Sequence, residues 1–150
     1  MKTPSKVDPS CRFCAIEKDP GTVLVHAGPD FLVFLDHRPL FPGHCLLVPR
    51  THVQTLADLP PTRARGFLAA LQTLERCVES LPGAEGSFVA VNNKVSQSVP
   101  HLHLHVVPRR KGDGLKGFFW PRGRYESLES MEKMGERLRK AWEKIRAGRP

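Results

Sequence analysis

The chain has 150 residues, 40% hydrophobic and 25% charged, the balance of a soluble globular domain with one core. No apolar run approaches the ~20 residues of a membrane span, and the opening MKTPSKVDPS lacks the apolar stretch of a secretory signal; a cytoplasmic location is therefore expected, with no membrane partner and residues 1–10 as a polar tail. The formal net charge is +8, and residues 109–150, with 13 Lys and Arg against 6 Asp and Glu, hold seven of those eight charges. Such a segment either attracts phosphate-bearing partners, nucleotide or nucleic acid, or is simply a solvated helix face.

Residues 22–26 and 31–36, rich in Val, Leu and Phe and parted by Gly28-Pro29-Asp30, read as a hairpin. Pro42-Gly43 precedes a third strand over 45–48, closed by Pro49. Phe67, Leu68, Leu71, Leu74, Val78 and Leu81 then recur every three or four residues, which predicts an amphipathic helix with Thr62 as N-cap and Pro82-Gly83 as its stop. A fourth strand follows over 87–91 and a fifth over 99–107. Residues 109–124 read as a Gly-rich, charged loop whose Phe118-Phe119-Trp120 either pack a core or reach a partner subunit. Leu128, Met131, Met134, Leu138, Trp142 and Ile145 predict a final basic helix over about 125–147, its apolar stripe packed and its Lys and Arg outside. The order predicts an α+β fold over 11–150 without a second domain: a five-stranded antiparallel sheet, a long helix on one face and a C-terminal helix.

The sharpest feature is Pro100-His101-Leu102-His103-Leu104-His105-Val106-Val107-Pro108. In an extended segment side chains alternate, so the three imidazoles share one face and Leu102, Leu104 and Val106 the other. Desolvated imidazoles need hydrogen-bond partners or a ligand. Two chemistries suit the row: metal binding, and nucleophilic attack through a covalent intermediate.

Together with Pro42-Gly43-His44-Cys45-Leu46-Leu47-Val48-Pro49 and Gln97-Ser98-Val99, this row resembles the histidine-triad (HIT) superfamily of nucleotide hydrolases and transferases. The resemblance implies that His103 attacks the α-phosphorus, that His105 contacts the phosphate or leaving group and helps protonate it, and that His44 supports the row. It implies that Gln97 and Ser98 bond the α-phosphate and the scissile bridge. Asp36 matches the acid that binds ribose hydroxyls, Asn92 a polar position nearby, and Phe13, Ile16 and Phe34 the apolar wall around the base. A homodimer with a sheet continuing across the interface is also implied. Pro100 departs from the apolar residue more usual before the triad, and the 92–97 loop is shorter than in some members. Read alone, Asp36 is an ordinary turn residue before Arg38-Pro39, Phe34 plain core, and Gln97 and Ser98 loop polars.

Four cysteines without a secretory signal do not argue for disulfides. Cys45 and Cys77 read as buried thiols. Cys11-x-x-Cys14 is compatible with a redox pair, a metal half-site or coincidence. His26 and His37 lie too far apart to complete a zinc finger. The resemblance implies instead a structural Zn2+ held by Cys11, Cys14, His52 and His101. The functional expectation is a nucleotidyl hydrolase or transferase acting on a nucleoside phosphoramidate, dinucleoside polyphosphate or similar ester, with adenine the base the resemblance favours. The alternatives are a zinc module that binds nucleic acid through the basic C-terminal helix and a nucleotide sensor without catalysis.

Overall fold

A computed structural model describes residues 7–115 and 123–148; the first six residues of the expected tail, and the aromatic run Phe118-Phe119-Trp120, lie outside the described residues. The chain divides into two compact units, Met1–Asp113 and Gly114–Pro150.

In the first unit, β1 (Leu24–Ala27), β2 (Phe31–Leu35), β3 (Cys45–Pro49), β4 (Gly86–Val91) and β5 (Leu104–Arg109) form one antiparallel sheet in the order β1-β2-β3-β5-β4. The only long helix of this unit among the described residues, α1 (Pro61–Glu79), links β3 to β4. Thr62 does not cap it. Pro60 stands at the N-cap and Pro61 in the first turn, where proline's fixed φ suits a helix start and its missing N–H is no loss.

Alternation along the strands sorts the side chains into two layers. Val33, Cys45, Leu47, Leu102, Leu104 and Val106 cluster with Phe67, Leu74 and Val78 of α1. Leu32, Phe34, Leu46 and Val48 point the other way and cluster with Cys11, Phe13 and Ile16 of the N-terminal segment. Both faces of the sheet are thus covered, one by a helix and one by irregular chain. Of the expected stripe on α1, Phe67, Leu74 and Val78 are buried, whereas Leu68 and Leu81 are exposed. Cys77 is exposed as well, contrary to its reading as a buried thiol; Cys45 is buried.

The fifth strand starts later than its pattern suggests. Ladder pairing begins at Leu104; residues 99–101 bend and 102–103 are irregular. Pro100 has no N–H to give a ladder, the His101 N–H turns back to the Val99 carbonyl at 2.8 Å, and the Leu102 N–H goes to Val53 at 2.7 Å. The alternation survives without the ladder, since Leu102 still lies in the helix-side core.

In the second unit, α2 (Leu128–Ala147) has the expected helical span. Nothing within this unit covers its apolar stripe among the described residues: exposure runs from 39% at Met134 to 69% at Trp142.

Leu102 is fully enclosed between the sheet and α1. Leu102→Ala is expected to lower unfolding free energy by about 2–5 kcal/mol, the range for deleting a buried leucine side chain, read as a lower urea midpoint with an unchanged m-value.

Candidate active and metal centre

The site lies on the sheet face opposite α1. The register aligns Phe34 on β2, Leu46 on β3, His105 on β5 and Ala90 on β4 in one cross-sheet row. Residues directly opposite in antiparallel strands project to the same side, so Phe34 and Leu46 floor the approach to His105 and Ala90 leaves room beside it. Asp36 just past β2 and His44 just before β3 keep the same parity. The imidazoles follow one another along this face: ring centroids are 5.1 Å apart for His103 and His105, 5.1 Å for His44 and His105, and 4.9 Å for His52 and His101.

Hydrogen bonds to the backbone fix the tautomers. The His103 Nδ1 lies 2.6 Å from the His101 carbonyl. A carbonyl only accepts, so Nδ1 carries the proton and Nε2 keeps its lone pair. The His44 Nδ1 accepts the Leu40 N–H at 3.1 Å, which puts the His44 proton on Nε2. That Nε2–H faces the His105 Nδ1 at 2.9 Å, so His105 accepts on Nδ1 and presents Nε2–H as a donor. Two backbone groups thereby set a lone pair on one ring and a donor on its neighbour.

Burial keeps the His105 and His44 rings neutral. Desolvation, reinforced by the neighbouring His103 and His44, drives the His105 pKa down to about 4 against the opposing pull of Asp36. Desolvation likewise lowers His44, again opposed by Asp36. The Asp36 Oδ2 lies 3.7 Å from the His44 Nε2 and 4.0 Å from the His105 Nδ1, while its Oδ1 accepts the Arg38 N–H at 2.9 Å as a turn residue would. His103 is only 3% exposed, with Phe13 set edge-on against its ring at a 5.1 Å centroid distance. His105 is the more open of the two, its side chain 22% exposed.

Beyond His103 the face ends in a second cluster. The Cys11 Sγ lies 3.3 Å from the His101 Nδ1, the Cys14 Sγ 3.6 Å from the same atom, and the Cys14 Sγ 3.5 Å from the His52 Nδ1. Zinc bound tetrahedrally at ordinary Zn–S and Zn–N lengths separates sulfur and nitrogen donors by about 3.5 Å, so the donor set fits that ion. The second nitrogen of His101 fits too: Nε2–H donates to the Pro49 carbonyl at 2.8 Å, leaving Nδ1 as the ligand, as metal-binding histidines usually arrange. Burial pushes the Cys14 thiol up, so a bare thiolate is disfavoured there and a cation is what stabilises one.

The structure brings together most of the residues singled out in the sequence. Cys11, Cys14, His52 and His101 converge, as do Asp36, His44 and His105, and Phe13, Ile16 and Phe34 pack in one cluster. Three polar candidates stand apart. The Gln97 amide donates to the Gln54 carbonyl at 2.6 Å and accepts from the Lys94 N–H at 3.1 Å, so it ties its own loop. Ser98 and Asn92 are exposed, and among the described residues neither hydrogen-bonds the imidazoles. Two clefts, of about 320 and 370 Å3, lie elsewhere, one by Phe41, Leu81 and Arg109, the other between β1, β2 and α1.

Sequence reasoning did not find Asp8, Leu40 or Pro49. The Asp8 N–H bonds the Cys14 Sγ at 3.3 Å, and its Oδ2 approaches the His52 Nε2 to 3.8 Å. Leu40 and Pro49 act through backbone atoms, which leave no trace in residue identity. Only the Asp8-Pro9-Ser10 turn just before Cys11 carried a signal, an acid and a turn residue beside a ligand pair.

Residues 18–112 match the family model of the HIT domain. The chain is similar to an uncharacterized HIT-like protein of Mycobacterium tuberculosis (strain CDC 1551 / Oshkosh), 34% identical over 108 residues, 70% of this chain and 75% of that one. It is also similar to the asymmetrical bis(5'-nucleosyl)-tetraphosphatase of Schizosaccharomyces pombe, 32% identical over 82 residues, which span 53% of this chain and 45% of the yeast protein. Among solved structures, a Zn-bound histidine triad family protein from Mycobacterium smegmatis is 36% identical and superposes with a TM-score of 0.65, covering 93% of this chain and 98% of that one. An imidazole row on one sheet face, a cysteine–histidine cluster at its end and a model match over most of the chain converge: the protein belongs to the HIT domain family.

Proposed function

We propose that the chain is a nucleotidyl hydrolase or transferase that cleaves at the α-phosphate of a nucleotide, adenine being the base the resemblance favours, through a nucleotidyl-histidine intermediate. The observation that carries this reading is the pair of backbone-fixed tautomers: a lone pair on His103 Nε2 beside a donor on His105 Nε2. His103 Nε2 attacks the α-phosphorus, forming N–P while the bond to the leaving group breaks. The leaving atom takes its proton from His105 Nε2–H. Water then attacks the phosphorus, breaks N–P and releases the nucleoside monophosphate, its proton returning to His105; a second phosphate acceptor in place of water makes a transferase. The similarity to a dinucleoside tetraphosphatase supports a nucleotide substrate, and a phosphoramidate or dinucleoside polyphosphate suits the chemistry equally.

Asp36 is assigned the ribose hydroxyls, since a carboxylate accepts from both at once. Phe13, Ile16 and Phe34 are assigned the base wall. Gln97 and Ser98 are assigned the phosphate and Asn92 the ribose side, which requires the 92–98 loop to release its Gln97 clamp when substrate arrives. His44 holds the His105 tautomer. Cys11, Cys14, His52 and His101 would hold Zn2+, which supplies a structural anchor with no open coordination position; the similarity to a Zn-bound structure supports it. A cytoplasmic homodimer, paired through the open edge of the sheet at β4, completes the reading.

Incubation with α-32P-labelled dinucleoside polyphosphate is expected to label the wild type and leave His103→Ala blank; label that survives the substitution rejects His103 as nucleophile. His105→Asn is expected to keep the adduct and slow turnover by about 10²–10⁴-fold, the usual worth of a positioned acid. Protein purified without added metal is expected to carry about one zinc per chain, falling towards zero in Cys14→Ser; a wild-type ratio near zero removes the metal from this account. The pH dependence has a definite sign. His105 titrates at about 4 in the native chain against an ordinary value of 6.5, so between those values the unfolded chain binds the extra proton. Its contribution to stability is therefore complete above 6.5 and is lost as pH falls through 4. Melting temperature should drop over that interval in the wild type and less steeply in His105→Asn; parallel curves contradict the burial argument.

A further inference from the structure

The second unit presents an interface of its own. Leu128, Met131, Gly135, Leu138, Trp142 and Ile145 fall at alternating three- and four-residue steps along α2, the a and d positions of a heptad seam. Every apolar member is exposed, from 46% at Met131 to 69% at Trp142, and Met134 beside the seam is 39% exposed. The outer face is already satisfied: Glu129 pairs with Lys133 at 2.6 Å and Glu136 with Lys140 at 2.9 Å, each four residues apart and pointing away from the seam. Two charges flanking the seam differ. Among the described residues neither Glu132 nor Arg139 has an ion-pair partner, although both stand at e positions, where coiled coils place the charges that select partner and orientation. Arg139 leans over Gly135, its Nη1 3.4 Å from where a β-carbon on that glycine would stand.

We propose that α2 pairs with α2 of a second copy of this chain, antiparallel, around a two-fold axis between Glu136 and Arg137. That register places Leu128 on Ile145 of the second copy, Met131 on Trp142 and Gly135 on Leu138, each pair then repeated by symmetry. Small faces large in the middle pair, and the flexible methionine faces the large indole. One flank brings Glu132 against Arg139 of the second copy, twice; the other brings Met134 against Ala141. The parallel arrangement fails on the same residues. It sets Gly135 on Gly135 and leaves a void, sets Trp142 on Trp142 and overfills, and offers Arg139 only Met134 across the seam. A short seam of this length is marginal for an isolated helix pair; tethering each helix to a folded domain raises its effective concentration wherever the domains also meet.

The inference stands on α2 alone and does not depend on the nucleotidyl chemistry. In full-length protein carrying Cys77→Ser, which removes the exposed native thiol, Glu132→Cys and Arg139→Cys are made singly and together and treated with a short bismaleimide at dilute concentration. The double variant is expected to give at least tenfold more covalent dimer on a denaturing gel than either single variant, and Leu138→Glu on the double background is expected to abolish it. Equal dimer from the single variants establishes a parallel pair and overturns the proposal. No dimer above the Cys77→Ser parent also overturns it, and means that the stripe is covered by the chain's own first unit or by another partner. Adduct formation at His103, measured on the same variants, reports separately on the catalytic reading.

Discussion

The site depends on one contact, the His103 Nδ1–H donated to the carbonyl of His101. It fixes which nitrogen of the buried ring is free, and its geometry is only as firm as the backbone at 101. That backbone lies outside the sheet ladder, so the ladder does not hold it. The His101 ring is held instead by Pro49 through one nitrogen and by the Cys11 and Cys14 sulfurs through the other. The cysteine–histidine cluster is therefore a mechanical support for the neighbouring imidazole, replacing the interstrand bonds that Pro100 and the irregular lead-in to β5 forgo.

The chain as a whole is strongly basic, yet the imidazoles beside Asp36 are uncharged. Burial outweighs the single carboxylate beside His44 and His105 and keeps both rings neutral. On the proposed mechanism the His105 donor is already aimed at the developing charge and needs no reorganisation when it forms.

Side-chain periodicity carried most of what the sequence disclosed. The alternation of histidine with Leu and Val predicted which residues face α1 and which face the site, and it holds even where the strand does not. What periodicity cannot carry is backbone hydrogen bonding. The start of β5 slipped from 99 to 104 because a proline and two N–H groups bonded elsewhere, to Val99 and Val53, interrupt the ladder, and the N-cap moved from Thr62 to Pro60 because proline's backbone suits the helix entrance better than threonine's side chain. Leu40 and Pro49 were invisible for the same reason. Gln97 shows the converse failure: its position in a motif is legible, but its amide is committed to the loop in this conformation. The apolar stripe of α2 was legible as a stripe, yet a single chain's sequence does not say whether the surface it meets belongs to the same molecule.

The two layers of buried side chains on the sheet share no residue. Changes on one side therefore reach the other only through the strands' backbone, and substitutions that share no partners tend to act independently. If Phe13, Ile16 and Phe34 line the base as proposed, such a scaffold can be retuned for a different base by redrawing them while the helix layer stays as it is. The two sides of one sheet can then change at different rates, the strands' backbone being all they have in common.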